Sequence, residues 1–306
     1  MLDKVNNEEN ELNLLDLIKL LWKEKNTIFF TTLCGAIFSV FYALSLSDIY
    51  TSQALLAPVG VENQSNASAT NAISALGLNI QQQTYTKDQE AIEIIKSYNF
   101  FVEKFLSNIK YENLMASKNW NKSSNKIIYT DNFDSSTKKW KIDENGNELK
   151  PSTQMAYKKY LNILDIKKNQ LNPFITISIS HHSPHIAKSW IEIIIDNINL
   201  KMREIDNEKA RNSIIFLKKN LVEANIEEVK ETSSFLIEEQ TKFLMLSEVN
   251  TEYVFKYLNS PLAPDLKSAP SRAYVCIVIT ISVFLLSVIF VFFKDFLRKD
   301  KSIQNA

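Results

Sequence analysis

The chain of 306 residues holds only four glycines, Gly35, Gly60, Gly77 and Gly146. A phosphate-cradling G-x-x-x-x-G-K-[ST] loop and a dinucleotide fingerprint both need clustered glycines, so neither can be built. H-E-x-x-H, C-x-x-C and G-x-S-x-G are also missing, which removes familiar signatures of zinc hydrolysis, thiol redox chemistry and serine hydrolysis. The two cysteines, Cys34 and Cys276, both fall inside apolar runs, so the rest of the chain has neither a disulfide nor a thiolate metal site. Histidine is equally scarce. His181, His182 and His185 are the only three, and the H-H-S-P-H spacing does not converge the three or four ligands that a metal requires. Formal net charge is zero and no basic face is clustered, so nucleic acid is not an expected partner. No cofactor is expected. The acidic residues crowded between Arg203 and Glu248 read as a solvated helix face rather than a glycosidase-like carboxylate pair.

What is present is apolar sequence concentrated in two runs, although mean hydropathy over the whole chain is slightly negative. Asn26 to Ser47 carries no charge, and neither does Ala273 to Phe293, which Arg272 and Lys294 bracket. Each run suits a bilayer core of about 30 Å. A cleaved secretory signal has an apolar region of only about 7 to 15 residues, which the first run exceeds. Orientation follows from Lys and Arg. Lys19, Lys23 and Lys25 precede the first run and Lys294, Arg298, Lys299 and Lys301 follow the second, so both ends are expected in the cytoplasm.

Ahead of the first run, Leu14, Leu15, Ile18, Leu21 and Trp22 recur at helical spacing, as in an interfacial helix or a docking face. Within it, Thr31, Gly35, Ser39 and Ala43 fall every fourth residue and form a small-residue face that lets another helix approach closely. IYTSQALLAPV then reads as a strand, and Val61 to Thr86 as a polar loop. Ile94, Ile95, Tyr98, Phe101, Val102 and Phe105 hold a helical stripe destined for the core. Trp120 to Lys150 is irregular, with a turn at Asn145-Gly146. LNILDIKKN and FITISISHH, joined through Asn172-Pro173, predict a hairpin.

From His185 to Ser260 there is neither Pro nor Gly, and Ser183-Pro184 forms a suitable helix start. Ile191, Ile194, Ile198, Met202 and Ile205 mark one stripe; Ala210, Ile214, Leu217, Leu221 and Ala224 continue another. As one helix, at ~1.5 Å per residue, this stretch would span on the order of 100 Å. A rod of that length should project and pack, in coiled-coil fashion, on copies of itself, which predicts a homo-oligomer. The alternative is two or three shorter helices folded back as a bundle without Gly or Pro at the bends.

Three segments in order carry a family resemblance: LNLLDLIKLLWKEK with YTSQALLAPV; SHHSPHIAKSWIEIIIDNINLKMREIDNEKARNSIIFLKKNL; and FLMLSEVNTEYVFKYLNSPLAPDLKSAPSR. Together they resemble the Wzz-type polysaccharide chain-length determinants, the inner-membrane polysaccharide co-polymerases of bacteria. In the third segment Pro261, Pro264 and Pro270 would hold a stiff approach to the membrane, with Arg272 at the interface. Two departures stand out. Lys267 replaces a proline that the family often repeats, and the second apolar run lacks the usual glycines, which weakens the expectation of close packing between the two membrane helices.

The resemblance implies an α+β periplasmic base domain with a long extended helix, flanked by two transmembrane helices. It implies a non-enzymatic ring that sets O-antigen or related glycan length with a membrane polysaccharide polymerase, and a lipid-linked glycan as a further partner. Only 13 residues follow Phe293 and none is Tyr, as expected of the kinase-free type. The expected parts are residues 1–26, a cytoplasmic segment; 27–47, the first transmembrane helix; 48–183, the base; 184–259, the long helix; 260–272, a Pro-rich return; 273–293, the second transmembrane helix; and 294–306, a cytoplasmic tail. The rivals are a periplasmic ligand-binding sensor, for which the tails are short, and a periplasmic glycan-processing enzyme.

Overall fold

The computed structural model describes residues 21–59, 86–169, 171–223 and 227–304. The expected stripe over Leu14, Leu15 and Ile18, almost all of the polar stretch from Val61, and Ala224 lie outside these residues. The chain divides into two compact units, one of Met1–Ser47 with Ala269–Ala306 and the other of Asp48–Ser268.

In the first unit helix α1 (Lys25–Ser45) follows a helical turn at residues 21–23. Its hydroxyls turn back onto its own carbonyls: Thr31 to Thr27 at 2.9 Å, Thr32 to Ile28 at 2.8 Å and Ser39 to Ala36 at 2.7 Å. Such bonds satisfy polar groups without water, as an apolar environment requires.

The second unit begins with β1 (Tyr50–Pro58) and continues after the loop with α2 (Lys87–Lys96). The Thr86 N–H donates to Gln89 Oε1 at 3.2 Å, one half of a capping box, and Asp88 and Glu90 stand in the first turn, where the helix dipole favours them. Ser97 stops α2 and its hydroxyl accepts from the Phe100 N–H at 3.2 Å, restarting an irregular helical stretch over 98–108 with a π-turn at Phe101–Phe105. Next come α3 (Tyr111–Met115), β2 (Ser117–Asn121), β3 (Lys126–Tyr129), β4 (Phe133–Asp134) and β5 (Lys139–Trp140). The segment from Trp120 to Lys150, expected to be irregular, therefore takes part in two small antiparallel ladders, β2 with β3, which starts earlier at Ser117, and β4 with β5. Gly146 does sit in a turn, at φ +84°, a conformation open to glycine.

Helix α4 (Thr153–Ile163) is capped by Ser152, whose hydroxyl accepts from the Met155 N–H at 3.3 Å. Then follow β6 (Leu164–Lys168) and β7 (Ile175–His181), the predicted hairpin, with Ile166 opposite Ile177. The chain then forms α5 (Pro184–Glu223), α6 (Glu227–Val249) and β8 (Phe255–Asn259). The main sheet has the order β6-β7-β1-β8, with every neighbouring pair antiparallel. Ala54 and Leu56 lie opposite Ile177 and Ile175, and with Ile179 they are fully buried. Against this sheet packs the first part of α5, whose Ala187, Trp190, Ile191, Ile194, Ile195 and Ile198 are all buried. Full burial of each large apolar side chain is worth roughly 1.5–3 kcal/mol. Phe101, Phe105 and Tyr160 complete the core, their ring centroids 4.7–6.1 Å apart, and the buried Tyr160 hydroxyl donates to the Ile95 carbonyl at 2.9 Å.

The expected single helix over 184–259 is corrected here. A long helix exists, the 40 residues of α5, but α6 packs antiparallel along its second half and β8 is a strand of the sheet. The Ser247 hydroxyl donates to Asn207 Oδ1 at 2.6 Å and Arg203 to the Asn250 carbonyl at 3.3 Å, so rising numbers on one helix meet falling numbers on the other. Each half carries apolar stripes, and pairing them removes surface that an isolated rod would leave in water. The boundary at 183/184 also disappears, because the start of α5 belongs to the same core as the sheet.

The chain ends in α7 (Arg272–Gln304), packed on α1 within the first unit. It extends well beyond the expected end at Phe293, and α1 starts and stops two residues before the expected 27–47.

Candidate functional site

Among the described residues two helices are long and apolar enough to cross a membrane, Lys25–Ser45 and Arg272–Asp295, which fits a two-pass topology. Their contact uses part of the small-residue face. A Cβ placed on Gly35 would lie 2.6 Å from Val283 Cγ1, so glycine is what admits that valine. Ser39 and Ala43 are buried, and the Cys276 thiol lies 3.7 Å from the Ser39 carbonyl. Thr31 remains exposed, its hydroxyl bonded to its own helix. The second helix thus achieves close approach without glycines of its own, using Val283 against Gly35 and the buried Ser287.

The Pro-rich residues divide between the units. Pro261 is buried and Pro264 half-buried in the unit of Asp48–Ser268, whereas Pro270 and Arg272 belong to the other. Within the larger unit the return segment runs antiparallel beside the start of β1. The Ser52 hydroxyl donates to the Leu262 carbonyl at 2.7 Å, and the Ser268 N–H to the Ile49 carbonyl at 2.8 Å. Lys267, the departure from the family pattern, pairs with Asp48 at 3.0 Å.

The histidines are absorbed by the fold in different ways. His181 is buried, with Nδ1 accepting from the Ser183 N–H at 2.9 Å and Nε2 2.9 Å from the Asn113 carbonyl. Burial pushes its pKa down to about 4. His182 Nδ1 sits 3.1 Å from the Asp48 carbonyl, and burial lowers its pKa too. His185 is exposed at the start of α5, its ring 6.0 Å from that of Trp120. Among the described residues no group of three or more His, Cys, Asp or Glu is placed to hold a metal ion.

A cleft of about 240 Å³ opens beside His185. Trp120 of β2, Lys122 and Asn125 of the following turn, Pro184 of α5, and Ala263, Pro264 and Asp265 of the return segment form its walls. The Trp120 indole N–H donates to Asn125 Oδ1 at 2.9 Å, and its ring meets Tyr50 edge-on at 5.5 Å. Sequence reasoning missed this cleft. Its one local signal was a tryptophan in an otherwise polar stretch, and its walls come from three segments far apart in the chain.

The model of the Wzz chain length determinant protein family matches residues 10–109. Over that segment the chain is similar to the Wzz family. The Wzz match spans α1, β1, α2 and the irregular stretch over 98–108. Solved structures of polysaccharide co-polymerases and a chain-length regulator give looser likenesses. A full-length bacterial polysaccharide co-polymerase is 14% identical, with a TM-score of 0.41 and coverage of 94% of this chain and 99% of that one. A fragment of WzzB, the polysaccharide co-polymerase of Salmonella Typhimurium, is 13% identical at a TM-score of 0.30, covering 73% and 100%. A mutant of the Shigella flexneri lipopolysaccharide O-antigen chain-length regulator WzzB is 12% identical at 0.22, covering 72% and 100%. No residue role is carried across from these structures. Comparison with curated proteins gave no match.

Proposed function

We propose that this protein regulates the chain length of O-antigen or a related surface polysaccharide, as a non-enzymatic scaffold working with a membrane polymerase. The observation that carries this reading is the chain length determinant match over residues 10–109, which joins the first apolar helix to the start of the larger unit. The basic residues flanking the outer ends of the two apolar runs support cytoplasmic termini and a periplasmic unit of Asp48–Ser268 in a bacterial inner membrane.

Self-association is part of the proposal. Ile215, Phe216, Met245, Leu246 and Val249 all leave large apolar side chains exposed on the α5–α6 hairpin, the surface expected of helices that meet further copies. The polymerase and its lipid-linked glycan would then be engaged by the assembled subunits.

Deleting the gene and resolving the polysaccharide by gel tests the reading. Loss of the preferred band cluster with polymer retained is the expected result. Complete loss of polymer would point instead to catalysis or export, and turnover of lipid-linked repeat units by the purified protein without polymerase would identify an enzyme.

A further inference from the structure

The cleft between Trp120, His185 and Asp265 has no part in the reading above, yet it is a defined place with a mixed chemistry. We propose that it binds a single pyranose residue of a glycan; only the source of that sugar rests on the chain-length reading. At about 240 Å³ the cleft is smaller than the ~300–1,000 Å³ of pockets for drug-sized ligands, so one ring is the appropriate scale.

The lining selects a hydroxyl-rich neutral molecule. Lys122 supplies donors, Asp265 acceptors, and Asn125 and His185 offer both kinds of group. One cation and one carboxylate cancel in charge, which gives a phosphate or carboxylate ligand little advantage. A sugar hydroxyl donates and accepts, so it can use both. Trp120 and Pro264 add apolar surface for the C–H face of a pyranose.

The walls are also held in place before any ligand arrives. Asn125 fixes the Trp120 indole N–H, Tyr50 and His185 pack on its ring, and the return segment is tied to β1 through Ser52 and Leu262. Such preorganisation lowers the entropy cost of binding.

The test uses the full chain in detergent and saturation-transfer NMR. Three probes are compared: the monosaccharides of the host's surface polysaccharide, fragments released from that polymer by mild acid, and the lipid-linked repeat unit. Saturation transfer to ring protons is expected in all three, and the strongest probe identifies the source. Trp120→Ala and Asp265→Ala should each weaken binding about tenfold, while Lys158→Ala, which lines no part of the cleft, should not. Trp120 also packs on Tyr50, so the exposed Asp265 keeps the test decisive if the tryptophan variant is unstable. Absence of transfer to every saccharide, or equal binding by wild type and Asp265→Ala, overturns the proposal. An unchanged band pattern after gene deletion would overturn the chain-length reading and leave the binding result untouched.

Discussion

Asn199 on α5 holds Phe255 by both of its backbone groups. Its Oδ1 accepts from the Phe255 N–H at 2.9 Å and its Nδ2 donates to the Phe255 carbonyl at 3.0 Å, while the same Oδ1 takes the Val254 N–H at 2.9 Å. All of this is buried, so one amide fastens the last strand to the helix on which the sheet packs. Asn199→Leu would leave three buried backbone groups without partners, each costing about 1–3 kcal/mol when unsatisfied. Allowing for relaxation, a loss of about 3 kcal/mol is expected, read as a lower denaturation midpoint of the detergent-solubilised protein. A midpoint within error of wild type would show that the clamp does not contribute.

The folded-back helices can be tested by cross-linking. Asn207 and Ser247 touch through a 2.6 Å hydrogen bond, so cysteines at both positions, with Cys34 and Cys276 changed to serine, should oxidise within one chain. The product should run as a monomer on a non-reducing gel. Cross-linked dimers in place of that monomer would indicate a continuous rod pairing with its copies.

Much of this fold was legible in the residues. The uncharged runs located both apolar helices, and the alternation of Ile175, Ile177 and Ile179 located β7 and its hairpin with β6. The reversal between α5 and α6 was not legible, because nothing local marks it: the stretch has no Pro or Gly, and the stripes that suggested one rod serve equally well to pair two halves. Association therefore rests on exposed side chains such as Phe216 and Leu246 and not on an unsupported rod. Asn199 escaped notice for a related reason, since an asparagine in an isoleucine-rich helix shows its partner only once residues 254 and 255 are brought beside it. The cleft around Trp120 depends on tertiary convergence in the same way.

Gly35 faces Val283 so closely that even one added methyl group must move a helix. The added Cβ would lie 2.6–2.9 Å from all three atoms of the valine branch, and none of them is the end of a long flexible chain. Gly35→Ala should destabilise the helix pair by about 1–3 kcal/mol, the usual cost of overpacking. Combining it with Val283→Ala, which removes the two γ-methyls but keeps the Cβ at 2.9 Å, should recover part of that loss. Thermal unfolding in detergent measures both, and additive losses in the double variant would refute direct contact.

His181 gives the larger unit a stability that depends on pH. Its ring is neutral in the observed network: Nδ1 accepts from the Ser183 N–H, so the ring proton sits on Nε2, facing the Asn113 carbonyl and Ser117. Burial is the main cause of its lowered pKa, and positive charge on His182 or Lys159 acts in the same direction. The folded group titrates near 4 against about 6.5 when unfolded, so between these values the unfolded chain binds the proton and the folded chain does not. The contribution is complete above pH 6.5 and is lost as pH falls toward 4, to a total of about 3 kcal/mol. Unfolding free energies at pH 7 and pH 4.5 should therefore differ by more in wild type than in His181→Gln, which starts lower because the Ser183 N–H loses its acceptor. An NMR titration placing the His181 ring near 6.5 in the folded protein would remove the basis for this difference.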